Sequence, residues 1–376
     1  MAGLYFHIPF CTHKCFYCDF YSGNQLYLID DYVDALVKEL NIRANYINNE
    51  VVETIYFGGG TPSLLTVKQL SKILNHIFSV FKVDLDCEIT LECNPENVTK
   101  EYISELFLLG INRISLGVQF LDDGVLKKFN RNHSKDDIIN SLDILNRSNF
   151  QNLSVDLIFS VPDISDDFLY LSLNQLLTFD IRHISAYSLT IAKNSQLYWK
   201  IEKGEFIEAD ESKFLSQYNL IYNCLSSGQF LQYEISNYAK EGFFSKHNLG
   251  YWNQKVYLGL GVSAHSYNLV SRQWNHNNIK KYIRDLANED PIVDFDLEIL
   301  TDIQHYNEYI ILKMRTLDSI SVSYVKNMFG AEIFQKFMTN LNVLKERNYF
   351  IFENDLVFQK KSDILIADHL SKLMMI

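Results

Sequence analysis

Short apolar runs alternate with amphipathic stretches six times along the first half of the chain, and this limits the fold more than any other feature. The runs are LYFHI near residue 4, TIYF at 54, EITLEC at 88, RISLGV at 113, LSVDLIF at 153 and HISAYSL at 183. Between them, stretches such as YVDALVKELNIRANYI and KDDIINSLDILNR place apolar residues at helical spacing. Strand and helix in repeated alternation imply a parallel sheet with helices packed outside it. After about residue 200 the alternation fades. ESKFLSQYNLIYNCLSSG predicts a helix ended by Gly228, and the aromatic, glycine-rich stretch from Gln232 to Tyr267 reads as strands and loops. From about Asp302 the pattern is helix, helix, helix and a hairpin turning at Glu353-Asn354-Asp355, which predicts a small winged-helix-like α+β domain. The expected divisions are 1–200 for the alternating core, 201–300 for an extension and 301–376 for the C-terminal domain. A chain of 376 residues with 47% hydrophobic content can bury one large core and a smaller one.

The stretch YFHIPFCTHKCFYCDF, Tyr5 to Phe20, leaves the end of the first run and holds Cys11, Cys15 and Cys18 in C-x3-C-x2-C spacing. Three thiolates in one loop can hold three irons of a cubane 4Fe–4S cluster. The fourth iron then lacks a cysteine, and an open metal position is where a ligand or chemistry goes. Structural zinc, with His7 or His13 as fourth ligand, and free thiols fit the same spacing. Six cysteines with three in one loop do not make a secreted disulfide framework; they fit a reducing cytoplasm. A net charge of −12 argues against nucleic-acid binding. No signal-peptide pattern precedes the first run, and no run of about 18 apolar residues suggests a membrane span.

Other residues stand out by position. Gly58, Gly59 and Gly60, followed by Thr61-Pro62, come after the second run. Without side chains, their backbone N–H groups can approach a bound carboxylate or amine, although a tight turn needs the same residues. Glu92 ends the third run and can hold a ribose hydroxyl or an amino group; an exposed strand-end acid reads the same way. Gln119 ends the fourth run, and Arg131 follows in KKFNRNH. Asp156 lies inside the apolar LSVDLIF, where a buried carboxylate is costly unless paired. HNLGYW, His247 to Trp252, offers an imidazole for iron and two aromatic rings, and is expected outside the alternating core. His265 in GLGVSAHSY is a second candidate ligand, although its small neighbours suggest close backbone packing equally well. Cys87, Cys93 and Cys224 lack metal spacing and read as ordinary buried cysteines.

HIPFC, then KC and YCDF, resembles the cluster loop of the radical S-adenosylmethionine family. Within it, GGGTPS resembles the branch of oxygen-independent coproporphyrinogen III dehydrogenases and HemW-type heme chaperones, and HNLGYW resembles the HNxxYW motif of the chaperones, which the dehydrogenases lack. The resemblance implies a partial (β/α)6 barrel of TIM type, with ligands at the C-terminal ends of the strands, where the candidate residues are expected to fall. It implies a 4Fe–4S cluster on Cys11, Cys15 and Cys18, with S-adenosylmethionine on the open iron. It further implies S-adenosylmethionine contacts from residues matching Tyr5, Gly59, Gly60, Thr61, Glu92, Gln119, Arg131 and Asp156, and heme at His247. Dehydrogenases of the branch carry a fourth cysteine in a C-x-C ending, whereas Cys18 is followed by Asp19-Phe20 as in the chaperones. Two further departures are expected to loosen the substrate side of the barrel. DLIYGLP becomes DLIFSVP, with Ser160-Val161, and an expected EPGT becomes Ile191 to Asn194. The implied function is heme chaperoning, with heme, an acceptor protein and an electron donor as partners. Oxidative decarboxylation of coproporphyrinogen III and radical methyl transfer stand as alternatives.

Overall fold

The computed structural model of the chain describes residues 1–193 and 195–376, so Asn194 of the EPGT departure lies outside the described residues. The alternating part comprises β1 (Ala2–Ile8), α1 (Ile29–Ile42), β2 (Val52–Gly59), α2 (Val67–Val80), β3 (Val83–Cys93), α3 (Lys100–Leu108), β4 (Arg113–Gln119), α4 (Asp123–Lys128), α5 (Lys135–Asn146), β5 (Asn152–Phe159), α6 (Asp166–Leu176) and β6 (His183–Ser188). Helices begin where the sequence supplies caps. Thr66 and Gln69 form a reciprocal capping box before α2, and Thr99, Ser134 and Ser165 each accept an N–H from the third helical residue. Strands β1 to β6 pair in parallel and in sequence order, giving the partial (β/α)6 barrel.

Side chains alternate along each strand. Leu4, Phe6, Ile55, Phe57, Leu91, Ile114 and Leu116 join the crossover helices in one apolar cluster. The opposite set faces the barrel interior and is polar: His7, Thr54, Glu88, Thr90, Arg113, Ser115, Ser154, His183 and Ser185 are all buried. Tyr5 and Asp156 belong to this interior set at mid-strand, not at the strand ends where they were expected.

The barrel is open, and the following residues extend its sheet at both edges. They form α7 (Gln196–Glu202), α8 (Glu211–Ser227), β7 (Leu231–Gln232), β8 (Asn237–Ala239), α9 (Lys246–Trp252), β9 (Tyr257–Leu260), β10 (His265–Tyr267), β11 (Ser271–Asn275), α10 (Ile279–Ala287) and β12 (Phe295–Ile299). β8 pairs antiparallel with β6, and β9 pairs in parallel with β1, matching Gly3 to Tyr257 and Tyr5 to Gly259. Among the described residues the result is one twelve-stranded sheet.

α9 carries HNLGYW, and its position corrects the expectation that this motif lies outside the core. The backbone N–H groups of Lys246 and His247 both donate to the interior carboxylate of Glu88 at 3.1 Å. An anion at a helix N-terminus is the favourable arrangement, so Glu88 draws α9 against the inner faces of β1 and β2.

The chain ends with α11 (Asp302–Met314), β13 (Ser319–Ser321), α12 (Val322–Met328), α13 (Gly330–Glu346), β14 (Phe350–Glu353), β15 (Leu356–Gln359) and α14 (Ala367–Met374). Its buried apolar residues, from Tyr306 to Met374, form a cluster separate from that of the barrel. No helix among the described residues is long and apolar enough to cross a membrane.

Candidate functional site

Pro9 ends β1, and the chain then loops back on itself. Cys11 N–H donates to the Gly23 carbonyl at 2.9 Å, and Gly23 N–H to that of Pro9 at 2.8 Å. Cys11, Cys15 and Cys18 are each half-buried on the wall of one cavity of about 510 Å³. Gly59, Gly60, Thr61, Glu92, Gln119, Arg131 and Asp156 line the same cavity. Of the predicted residues, Tyr5 and His247 lie elsewhere.

Two polar groups reach the sulfurs. Thr61 Oγ1 donates to Cys11 Sγ at 3.5 Å, and Arg131 Nη1 to Cys15 Sγ at 3.4 Å. Burial, with Cys15 and Cys11 nearby, pushes the Cys18 thiol up to about 11. A buried thiol that favours its proton needs positive charge to ionise, which iron supplies. A cubane takes each sulfur on a different iron, so three cysteines of one loop can share it. His7, a candidate fourth ligand for zinc, spends its ring nitrogens on Tyr5 Oη at 3.1 Å and the Tyr21 carbonyl at 2.8 Å. The donor set therefore fits an iron–sulfur cube.

The cavity also holds polar groups with nothing to bond. Arg113 Nε and Arg131 Nε are buried without a hydrogen-bond partner. Such atoms are costly unless a polar ligand completes them. Arg131 is held by Nη2 donating to the Gly117 carbonyl at 2.9 Å and to Asn94 Oδ1 at 3.2 Å.

The acids divide the polar work. Glu92 accepts from Tyr56 Oη at 2.8 Å and from Gly59 N–H at 3.2 Å. Burial first, then the charge of Asp156, pushes its carboxyl up to about 7. Asp156 accepts from Ser115 Oγ at 3.2 Å; burial raises its carboxyl, while Ser185 and Arg113 oppose that shift. The cost of burying Asp156 is thus met by two hydroxyls and a guanidinium.

The glycine turn does different work from that expected. Gly59 N–H goes to Glu92, and Gly60 N–H donates to the Ile8 carbonyl at 2.9 Å, so neither is free for a ligand. A Cβ on Gly60 would lie 2.7 Å from the Phe10 carbonyl oxygen, and one on Gly59 2.6 Å from the His7 ring. The glycines let the cluster loop pack directly on β2.

Tyr5 differs from its expected place. It bonds His7, lies against Tyr56 at 6.1 Å between ring centroids, and faces a second cavity. Tyr56 lines the cluster cavity in its stead. His247 differs more. Its Nδ1 bonds Thr54 Oγ1 and its Nε2 bonds Tyr251 Oη, both at 2.8 Å, and it is 3% exposed. Both ring nitrogens are occupied, so it presents no lone pair to iron. Burial pushes its pKa down to about 3, which keeps it neutral as a relay between two hydroxyls.

Arg113 and Tyr56 were missed by sequence reasoning. Arg113 opens RISLGV, so the argument that flagged Asp156 applies to it equally. Of the other cysteines, Cys87 and Cys93 are buried as expected, while Cys224 is only half-buried.

This fold, with a three-cysteine loop above a polar barrel interior, defines a radical S-adenosylmethionine protein, and residues 5–171 match the model of the Radical SAM superfamily. The chain is 33% identical to the heme chaperone HemW of Bacillus subtilis (strain 168) over 352 residues, 92% of each chain. It is 34% identical to the heme chaperone HemW of Mycobacterium tuberculosis (strain ATCC 25618 / H37Rv), covering 83% of this chain and 81% of that one. The chain belongs to the HemW family. Among solved structures, the coproporphyrinogen III oxidase HemN of Escherichia coli, a radical SAM enzyme, matches with a TM-score of 0.85 over 100% of this chain and 90% of that one. At 19% identity that likeness carries the fold alone.

Proposed function

We propose that the protein is a heme chaperone that binds heme and hands it to an acceptor protein. It would hold a 4Fe–4S cluster on Cys11, Cys15 and Cys18 and S-adenosylmethionine in the adjoining cavity. The observation that carries this reading is the likeness to HemW chaperones over nearly the whole chain. The loop ending Cys18-Asp19-Phe20, without a fourth cysteine, agrees with it. In the cavity, Thr61 and Arg131 would stabilise sulfur charge, while Glu92 and Asp156 would accept hydrogen bonds from hydroxyl or amino groups. When bound, the cluster supplies an electron and an open iron that chelates an amino acid's amino and carboxylate groups. We read the protein as cytoplasmic, since its six cysteines are all unpaired, as a reducing compartment keeps them.

Anaerobic reconstitution, followed by heme titration and a coproporphyrinogen III assay on the same sample, tests the reading. One heme bound per chain and no decarboxylated product is the expected result. Protein that takes up no heme yet decarboxylates coproporphyrinogen III would make it an oxidase instead. Transfer of a labelled methyl group would favour the methyltransferase alternative.

A further inference from the structure

A second cavity, of about 700 Å³, lies beside the cluster cavity. Asp19 and Phe20 line both, so the residues after Cys18 form the partition. Phe20 is 61% exposed.

The cavity continues the barrel's inner face past the β1 edge. Gly3 pairs with Tyr257 and Tyr5 with Gly259, so Tyr257 shares a face with Tyr5 and His7. Tyr267 pairs with Tyr257 and Arg272, and His265 pairs with Trp274. Strand alternation then sets Tyr257, Tyr267, His265 and Arg272 side by side. α9 adds Tyr251, whose ring meets Tyr257 edge-on at 4.7 Å, and α11 closes the far side.

His265 differs from His247 where ligation is concerned. Among the described residues neither of its ring nitrogens has a hydrogen-bond partner, and its side chain lines the cavity. Its ring stacks on Trp274 at 6.0 Å between centroids, which fixes its plane. Burial, with Arg272 nearby, lowers its pKa and so preserves the neutral, ligating form. The small neighbours noted in the sequence set the strand that carries it, since a Cβ on Gly259 would meet the His265 carbonyl oxygen at 2.0 Å. Arg272 pairs with Glu308 at 2.5 Å, yet its buried Nε has no hydrogen-bond partner. Lys255, paired with Glu53, is a second cation on this wall.

We propose that this cavity is where heme sits, with His265 as the axial ligand to iron, Tyr251, Tyr257 and Tyr267 walling the porphyrin, and Arg272 and Lys255 taking its carboxylates. The proposal rests on the heme-chaperone reading and moves the ligand from His247 to His265. A volume of about 700 Å³ suits a ligand of cofactor size. An iron porphyrin needs three things at once: a free imidazole, aromatic faces and cations for two carboxylates. Here they meet in one place. His247 becomes a positioning residue that holds the Tyr251 hydroxyl from behind the wall.

Hemin titration of the full-length protein, read by the Soret band, tests this with wild type, His265→Ala, His247→Ala and Tyr251→Phe. His265→Ala should bind hemin at least tenfold more weakly, with a shifted Soret band that added imidazole restores. A merely structural role would give no imidazole rescue. Iron-free protoporphyrin should bind wild type and His265→Ala within about twofold, because it has no iron to ligate. His247→Ala and Tyr251→Phe should keep the wild-type Soret position. Wild type that takes up no hemin would overturn both the chaperone reading and this site. Wild type that binds hemin, with an unchanged band and affinity in His265→Ala, would overturn the site alone. So would an imidazole-rescued loss in His247→Ala.

Discussion

Glu92 shows how a single buried group ties the cluster cavity to stability. Its carboxyl rises from 4.5 to about 7 on folding, chiefly through burial. A raised carboxyl favours folding while protonated, so its contribution is fully present below pH 4.5 and is lost as pH rises through about 7. The difference corresponds to about 3 kcal/mol. Glu92→Gln keeps acceptors for Tyr56 and Gly59 but cannot ionise. Urea unfolding of the apoprotein should therefore show a shallower fall in stability between pH 4.5 and 7 in Glu92→Gln than in wild type. A shallow slope remains, because Glu234 is also pushed up to about 7 by burial. Identical slopes would mean that Glu92 is solvated. The cysteines have a sharper expectation. Alanine at Cys11, Cys15 or Cys18 should abolish the cluster, read as iron and sulfide after reconstitution, while alanine at Cys87, Cys93 or Cys224 should leave it intact. At this scale the sequence was readable wherever chemistry is local. A C-x3-C-x2-C loop brings its own sulfurs together, and an acid inside an apolar strand announces a partner. The bond between His247 and Thr54 was not legible, because the two lie 193 residues apart and no spacing rule reaches that far.

The six strand–helix repeats were legible because periods of two and of about 3.6 are written locally. The position of α9 was not, because Glu88 on β3 determines it across 158 residues or more. Glu88→Gln should loosen α9, since one amide oxygen replaces a carboxylate that two backbone N–H groups share. A loss of roughly 1.5–3 kcal/mol in stability is expected for charged hydrogen bonds of this kind. Hydrogen exchange should report it as faster exchange at Lys246 and His247, with β4 and β5 unchanged. The turn after β2 meets the cluster loop backbone to backbone. Gly60→Ala puts a methyl 2.7 Å from the Phe10 carbonyl oxygen and 2.8 Å from that of Ile8, and neither atom can swing away. The loop should be forced off β2, and the variant should hold less iron after reconstitution than a Gly110→Ala control. At Gly110 nothing lies within 4 Å, although its positive φ adds some strain. Ser160 shows what the departure from DLIYGLP means physically. It adopts φ +59°, which glycine takes without strain, and Gln217 holds it by accepting its N–H at 2.7 Å. At this corner a residue with a side chain thus stands in a strained backbone conformation, and Gln217 clamps it.

Two apolar clusters divide the molecule unequally, and the second cavity lies between them. The barrel and its extension supply most of the cavity wall, while α11 closes it with Glu308, Ile311 and Leu312. α11 belongs to the C-terminal cluster through Tyr306, Tyr309 and Ile310, so the cavity depends on a core that the cysteine loop does not touch. Phe337 sits at the centre of that core with no exposed surface, against Tyr306 and Phe334. Phe337→Ala should cost about 3–5 kcal/mol, through lost burial and the void left behind. Scanning calorimetry should show a transition for the C-terminal cluster moving down in temperature while that of the barrel stays. Iron and sulfide content should be unchanged, since every cluster cysteine belongs to the β1 loop. Hemin affinity should fall, because α11 no longer holds its wall. If instead the whole molecule melts in one transition that shifts as a unit, the two clusters fold cooperatively. Ile364, a C-terminal residue buried in the barrel cluster, would be the natural bolt between them.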